Sequence, residues 1–271
     1  MNSTVAVGRS KMTARKSITD LLSPLDRLVA KSTNLTSSPI GRFSHAGEDY
    51  EMARYVYLGN RGQEAPIRIG IFAGIHGDEP EGVRALAHLA RVLESNPELS
   101  AGYCVSLYPA CNPTGLEDHR RNSRTEKDLN REFWRNSTEP EVRLLEAELE
   151  TQRFDGIISL HTDIESSGFY GFVRGATLTK DLLRPALAAA AKLLPINQDQ
   201  LIDGFHAEDG LIKDCYEGIL GAPPKARPKP FEIILEAPGQ APVFVREAAL
   251  VMALHAILSE YRKFISYAAN L

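Results

Sequence analysis

A single α/β domain built on a mostly parallel sheet is the fold class this sequence predicts. Three observations carry it. Short apolar runs recur near residues 67–75, 103–110, 155–161 and 231–235, helical patterns lie between them, and no linker is long enough to divide the chain. By length alone 271 residues allow one large domain or two small ones, and the alternation of strand and helix favours one.

Taken in order, residues 20–31 read as a short amphipathic helix interrupted by Pro24, and residues 33–39 as a polar connector rich in Ser and Thr. Residues 1–40 therefore form a lead-in. From Gly41 the pattern is strand-like through residues 55–58, followed by a turn at 59–62. The run 67–75, dominated by Ile, Phe, Ala and Gly, suits a strand buried on both faces. Residues 79–94 carry Val83, Leu86, Leu89 and Val92 at helical spacing, with Pro80 in the first turn, where its missing N–H is harmless. A second apolar strand covers 103–110. The polar segment 112–136 that follows is too long for a mere connector and is a candidate functional loop ahead of a helix at 139–152. Residues 155–161 give the third strand, 179–194 an Ala/Leu helix, 221–230 a Pro-rich basic loop, 231–235 the fourth strand and 242–261 the closing helix. The catalytic unit is thus placed at 41–262, with 263–271 as a tail.

Composition removes several classes of function. The 31 Lys and Arg against 35 Asp and Glu give a net charge of −4 with a pI near 6.0, so there is no basic footprint for nucleic acid. Cys104, Cys111 and Cys215 are too few for a disulfide scaffold and fit a reducing, cytoplasmic compartment. The longest nearly apolar stretch, 248–258, is interrupted by His255 and falls short of the about 20 residues that span a bilayer. The basic N-terminus with Arg9, Lys11, Arg15 and Lys16 precedes no apolar run of the secretory type and reads as a frayed end.

Polar groups stand at the ends of the buried strands: His76 and Glu79 after the first, Asn112 after the second, His161 after the third and Glu236 on the fourth. Ligands of open α/β sheets bind outside the carboxyl ends of the strands, so residues remote in sequence can meet in one crevice there. Two imidazoles and a carboxylate are a ligand set of catalytic zinc, with water completing the coordination. An isolated His-x-x-Glu is common, and a sheet-end histidine is often merely hydrogen-bonded; the third ligand at the end of the third strand gives the pattern its weight. The loop contributes Arg121 and Asp128-Leu129-Asn130-Arg131, where guanidinium groups can stabilise an oxyanion or hold a carboxylate in bidentate fashion. Glu236, an acid on an Ile-rich strand, is costly to bury unless paired, solvated or functional, and is the natural candidate general base.

Five segments in order, Gly74-Ile75-His76-Gly77-Asp78-Glu79, Asn112-Pro113-Thr114-Gly115, Asp128-Leu129-Asn130-Arg131, Ser159-Leu160-His161-Thr162 and Ile234-Leu235-Glu236-Ala237-Pro238, resemble the motifs of the zinc carboxypeptidase family, which includes a succinylglutamate desuccinylase and aspartoacylase branch. The resemblance covers about residues 41–261. It implies a mixed, mainly parallel sheet of about eight strands flanked by helices, and one zinc per chain on His76, Glu79 and His161. Arg121 would polarise the scissile carbonyl, Asn130 and Arg131 would anchor a substrate carboxylate, and Glu236 would act as the catalytic glutamate. Arg120 and Arg124 compete with Arg121. Glu232 competes with Glu236, since residues four apart on a strand share a face. Tyr216 is a candidate substrate-covering tyrosine. The implied activity is hydrolysis of an amide next to a free carboxylate, on a small peptide or an N-acyl amino acid. A non-catalytic zinc- or carboxylate-binding protein on the same fold is the alternative from a different class.

Overall fold

The computed structural model describes residues 7–60, 65–176 and 179–268. Its elements run α1 (Val7–Val29), β1 (Leu35–His45), β2 (Glu48–Leu58), β3 (Ile67–Ala73), α2 (Pro80–Ser95), α3 (Pro97–Ser100), β4 (Tyr103–Tyr108), α4 (Pro113–Asp118), a 3-10 turn (Leu129–Arg131), α5 (Pro140–Gln152), β5 (Gly156–Asp163), β6 (Tyr170–Gly175), α6 (Thr179–Ala190), β7 (Leu201–Ile202), β8 (Phe205–Glu208), β9 (Leu211–Ile212), β10 (Phe231–Pro238) and α7 (Val243–Ala268).

The sheet has ten strands among the described residues, in the order β1-β2-β4-β3-β5-β10-β6-β9-β8-β7, where about eight were expected. The four strands predicted as buried, β4, β3, β5 and β10, are its parallel centre. Antiparallel β2 and β6 flank them on either side. Burial on both faces explains why β3, β4 and β5 read as continuous apolar runs, while β10 keeps Glu232, Ile234 and Glu236 on a half-buried face.

Two sequence expectations are corrected. The connector at 33–39 is the first half of β1, which runs across residue 40 and pairs with β2 from Leu35↔Tyr57 to His45↔Glu48, with a shift of register between Pro39 and Gly41. Its mostly half-exposed edge position hides the apolar signal of a strand. The helix expected at 20–31 begins at Val7 and contains Pro24. Its fully buried Leu25 belongs to the main core, while Ile18, Leu21 and Leu22 pack on Val83, Ala110 and Leu116. The turn expected at 59–62 lies partly outside the described residues.

Two cores sandwich the sheet. On one face α2, α6 and α7 cover Ile71, Ala73, Leu160 and Leu235. The other face carries Phe72, Tyr108 and Ile157 under Val142, Leu145 and Leu149 of α5 and under Leu129 and Phe133 of the long loop. Phe72 stacks on Tyr108 with centroids 4.4 Å apart. Leu86, Leu89 and Leu93 of α2 are fully buried; truncating any of them to Ala should cost about 2–5 kcal/mol.

The chain runs from β3 outward to β4 and then crosses back to β5 on the far side of β3. The reversal makes the carboxyl ends of β3 and β5 a topological switch point, the place where such sheets leave a crevice.

Candidate metal centre and its crevice

The turn after β3 is shaped by two glycines. Gly74 has φ +65°, a conformation that favours glycine. At Gly77 a Cβ would stand 1.9 Å from the backbone carbon of Gly115, so only glycine lets this turn approach the start of α4 so closely. Asn112, expected at the strand ends, is fully buried and does not line the crevice. Its Oδ1 accepts from Gly115 N at 2.8 Å, and its Nδ2 donates to Ile75 O and Arg121 O. It therefore ties the turn carrying His76 to the loop carrying Arg121.

His76, Glu79 and His161 meet at the switch point, where one donor atom from each lies within 4.8 Å of the others. They are 3%, 6% and 2% exposed. Nδ1 of His76 is 2.7 Å from Glu79 Oε1, Nδ1 of His161 is 3.0 Å from Glu79 Oε2, and the two Nδ1 atoms are 3.2 Å apart. The outer nitrogens are occupied elsewhere. Nε2 of His76 faces Asp128 Oδ1 at 3.2 Å, and Nε2 of His161 faces Ser159 Oγ at 2.9 Å. An Nε2–H donated to the Asp128 carboxylate fixes the tautomer whose Nδ1 lone pair points inward. Two inward imidazole nitrogens and a carboxylate form a concentration of lone pairs that a cation would relieve, and the donor set is one that suits zinc. A guanidinium stands closest to this role in the structure: Arg121 Nη1 is 3.2 Å from His76 Nδ1 and 3.7 Å from Glu79 Oε1.

The charges of the cluster act on one another: burial lowers His76, but Glu79 and Asp128 outweigh it and raise its pKa. Burial pushes the Glu79 carboxyl up, but the two imidazoles outweigh it and hold it near 2. Burial drives His161 down and so favours its neutral form. Asp128 is likewise opposed by burial, yet His76 and Arg121 keep it well below the usual carboxylate range.

Parallel pairing places Glu236 of β10 beside His161 of β5, while antiparallel pairing places it beside Tyr170 of β6. Burial, followed by the charges of Glu79, Asp163 and Asp203, pushes its carboxyl well above the ordinary range. Glu232 shares the face, as the spacing predicts, but sits four register positions lower opposite Ile157 and Arg174, away from the His-Glu-His cluster. Of the three competing arginines, Arg121 lines the crevice and is held by Asp128 Oδ2 at 2.9 Å. Arg120 pairs with Glu126 at the surface, and Arg124 is taken up by Tyr50, Glu117 and Asp118.

The crevice measures about 520 Å³ and contains His76, Glu79, Arg121, Asn130, Arg131, His161, Tyr216 and Glu236 in its lining. Oδ1 of Asn130 accepts from Leu220 N at 2.9 Å, which leaves its amide nitrogen as the group available to a ligand. Arg131 donates to Asn130 O at 2.8 Å and lies 4.0 Å from the centre of the Tyr216 ring. The Tyr216 hydroxyl donates to the Asp203 carbonyl and carboxylate. Cys111 is buried with its thiol pushed up to about 12 by desolvation, the opposite of what a thiolate nucleophile requires. The three cysteines are free, and no helix among the described residues is long and apolar enough to cross a membrane.

Two residues of this centre were not assigned roles from the sequence. Both stand inside the quoted motifs: Asp128 reaches His76 from another segment of chain, whereas Ser159 stands two residues before His161 on β5. His-x-x-Glu spacing does not reveal them.

Comparison with known proteins places the chain. Residues 66–199 match the family model described as the succinylglutamate desuccinylase/aspartoacylase catalytic domain. No curated protein sequence gives a match. Among solved structures, a protein provisionally named a metallopeptidase from Shewanella amazonensis has a TM-score of 0.74 at 22% identity, over 90% of this chain and 92% of that one. Another so named, from Shewanella denitrificans, gives 0.71 at 23% identity over 90% of each chain. A metallo-carboxypeptidase from Burkholderia cenocepacia gives 0.63 at 16% identity over 90% of this chain and 68% of that one. These structural likenesses establish the fold.

Proposed function

We propose that this chain, whose residues 66–199 match the succinylglutamate desuccinylase/aspartoacylase catalytic domain, is a zinc-dependent hydrolase that cleaves an amide bond next to a free carboxylate. One observation carries the reading: two inward-facing imidazole nitrogens and the Glu79 carboxylate converge while Asp128 and Ser159 occupy the outer nitrogens, in a crevice that also holds Glu236 and Arg131. His76, Glu79 and His161 would hold the zinc, which when bound polarises a carbonyl and lowers the pKa of water toward neutrality.

The chain's own residues supply the rest. Glu236, in the row of His161, takes a proton from the attacking water and returns it to the leaving amine nitrogen. Arg121, braced by Asp128, donates to the carbonyl oxygen as that atom gains negative charge. Arg131 has no carboxylate partner among the described residues, and its guanidinium, backed by the Tyr216 ring, receives the substrate carboxylate together with the Asn130 amide nitrogen.

A second reading, an N-acyl amino acid hydrolase of the desuccinylase or aspartoacylase kind, is favoured by the family match over residues 66–199 and would use the same groups. The test is a hydrolysis panel on zinc-loaded protein with C-terminally free dipeptides, γ-linked glutamyl peptides and N-acyl amino acids. Turnover that requires zinc and a free carboxylate supports the proposal. Stoichiometric zinc without turnover of any member returns the chain to the non-catalytic alternative.

A further inference from the structure

The crevice lining includes an arginine with no part in the mechanism above. Arg246, in the first turn of α7, is 9% exposed and lines the crevice. Its one ion-pair partner among the described residues is Glu81 of α2, with Nη2 3.1 Å from Oε1. Its Nε is buried without any hydrogen-bond partner. A guanidinium has five N–H donors, and an unpaired donor out of reach of water carries a desolvation cost. With Glu81 as the one carboxylate partner of its five donors, this nine-tenths buried guanidinium has N–H groups to spare where it lines the crevice.

Its position says which part of a substrate it meets. Arg131 belongs to the loop that packs with α5 on one face of the sheet, since its neighbours Leu129 and Phe133 lie in that core. Arg246 and Glu81 rise from the helices of the opposite face, where α2 and α7 cover Leu160 and Leu235. The metal cluster and Glu236 lie at the strand ends between them. A substrate fixed through its carboxylate at Arg131 therefore extends across the reacting centre, and its acyl side reaches the Arg246 wall.

Charge decides the kind of acceptor. Arg246 is already neutralised by Glu81, and Asp163 at the end of β5 and Glu165 just after it line the crevice. A second carboxylate there would face these acids, whereas a neutral carbonyl gains the hydrogen bond without the repulsion. Building on the amide-hydrolase reading, we propose that Arg246 is a specificity-determining residue that recognises a neutral carbonyl on the acyl side of the scissile bond. The substrate class is then a peptide with at least one further amide, and not an amino acid bearing a dicarboxylic acyl group.

The test measures binding on zinc-loaded Glu236→Gln protein by calorimetry, with three probes that share a C-terminal leucine suited to the apolar wall of Phe172, Ile202, Ile219 and Ile234. N-acetylglycyl-leucine offers the extra carbonyl, N-pentanoyl-leucine is its isostere without an acceptor, and N-succinyl-leucine presents a carboxylate. The acetylglycyl compound should bind about tenfold more tightly than the pentanoyl one, as one charge-assisted hydrogen bond allows. Arg246→Met should erase that ratio. So should Glu81→Met with Arg246→Met, which replaces the buried pair by apolar groups and avoids an unpaired Glu81. Arg131→Lys should weaken all three probes and keep the ratio. Equal binding of the first two probes, a ratio that survives both Arg246 variants, or tightest binding of the succinyl compound would overturn the proposal. If the ratio holds but the enzyme with Glu236 intact hydrolyses none of the three, the hydrolase reading fails and the Arg246 assignment stands; failure of all three to bind overturns both.

Discussion

Replacing Asp128 by Asn separates orientation of the metal centre from its donor atoms. All of the carboxylate is in use: Oδ1 takes His76 Nε2 at 3.2 Å and the backbone N–H of Asn130 at 2.9 Å, while Oδ2 takes Arg121 Nη2 at 2.9 Å. An amide keeps one acceptor oxygen and turns the other position into a donor. With its oxygen toward His76 and Asn130, its NH₂ confronts the Arg121 guanidinium; flipped, it confronts two N–H groups at once. The first orientation costs less and preserves the cap on the 3-10 turn, for which Asn is as good as Asp. The loop should therefore fold. Losing a charge-assisted hydrogen bond is worth about 1.5–3 kcal/mol, or roughly 10- to 150-fold, and it falls on Arg121 and hence on kcat/KM. His76 retains only a neutral acceptor, so zinc affinity should fall by about 10- to 100-fold, the range for losing a group that orients a ligand. Competition against a fluorescent chelator measures the zinc, steady-state kinetics on the best panel substrate measures kcat/KM, and Tm controls for folding. Zinc affinity and kcat/KM both within about threefold of wild type would refute the reasoning and leave Asp128 as a loop cap.

The other expectations concern the donors, the base and the clamp. His76→Ala combined with His161→Ala should abolish the about one equivalent of zinc found by metal analysis, and full retention would remove the site. Glu236→Gln should keep zinc while kcat falls by at least about 10²-fold; a larger loss from Glu232→Gln would move the base to that residue. A general base acts deprotonated, and burial with neighbouring acids pushes Glu236 up. The acid limb of kcat/KM should therefore sit above the ordinary carboxylate range, with activity rising as pH rises through it, and a limb near pH 4 would contradict this. Arg131→Lys keeps the charge but loses the planar pair of donors, so it should lower kcat/KM. Amidating the substrate carboxylate should cost wild type about 10- to 150-fold, from 1.5–3 kcal/mol; equal rates on acid and amide would exclude the clamp.

What the sequence by itself determined follows from burial that acts locally. β3, β4 and β5 are buried on both faces, so their apolar runs survive in any register, β10 shows its buried face through Phe231, Ile233 and Leu235, and α2 its buried stripe through Val83, Leu86 and Leu89. The placement of His76, Glu79, His161 and Glu236 at strand ends was legible for the same reason: a parallel sheet gathers its carboxyl ends whatever the details of pairing. Tertiary structure decided the rest. β1 lies at the sheet edge with half-exposed residues, and β7, β8 and β9 span two to four residues each, so none carries a periodic signal. Glu232 and Glu236 obey one spacing rule; the motif around Glu236 favours it in sequence, and the structure adds that it stands in the row beside His161. Spacing to Asn130 favours Arg121 over Arg120 and Arg124 in sequence, but which carboxylate each one finds is set by the fold, and the pairing of Glu81 with Arg246 exists only because α2 and α7 pack on one face of the sheet. Periodicity records how each residue meets the core, whereas a partner distant in sequence is chosen by the packing of whole elements.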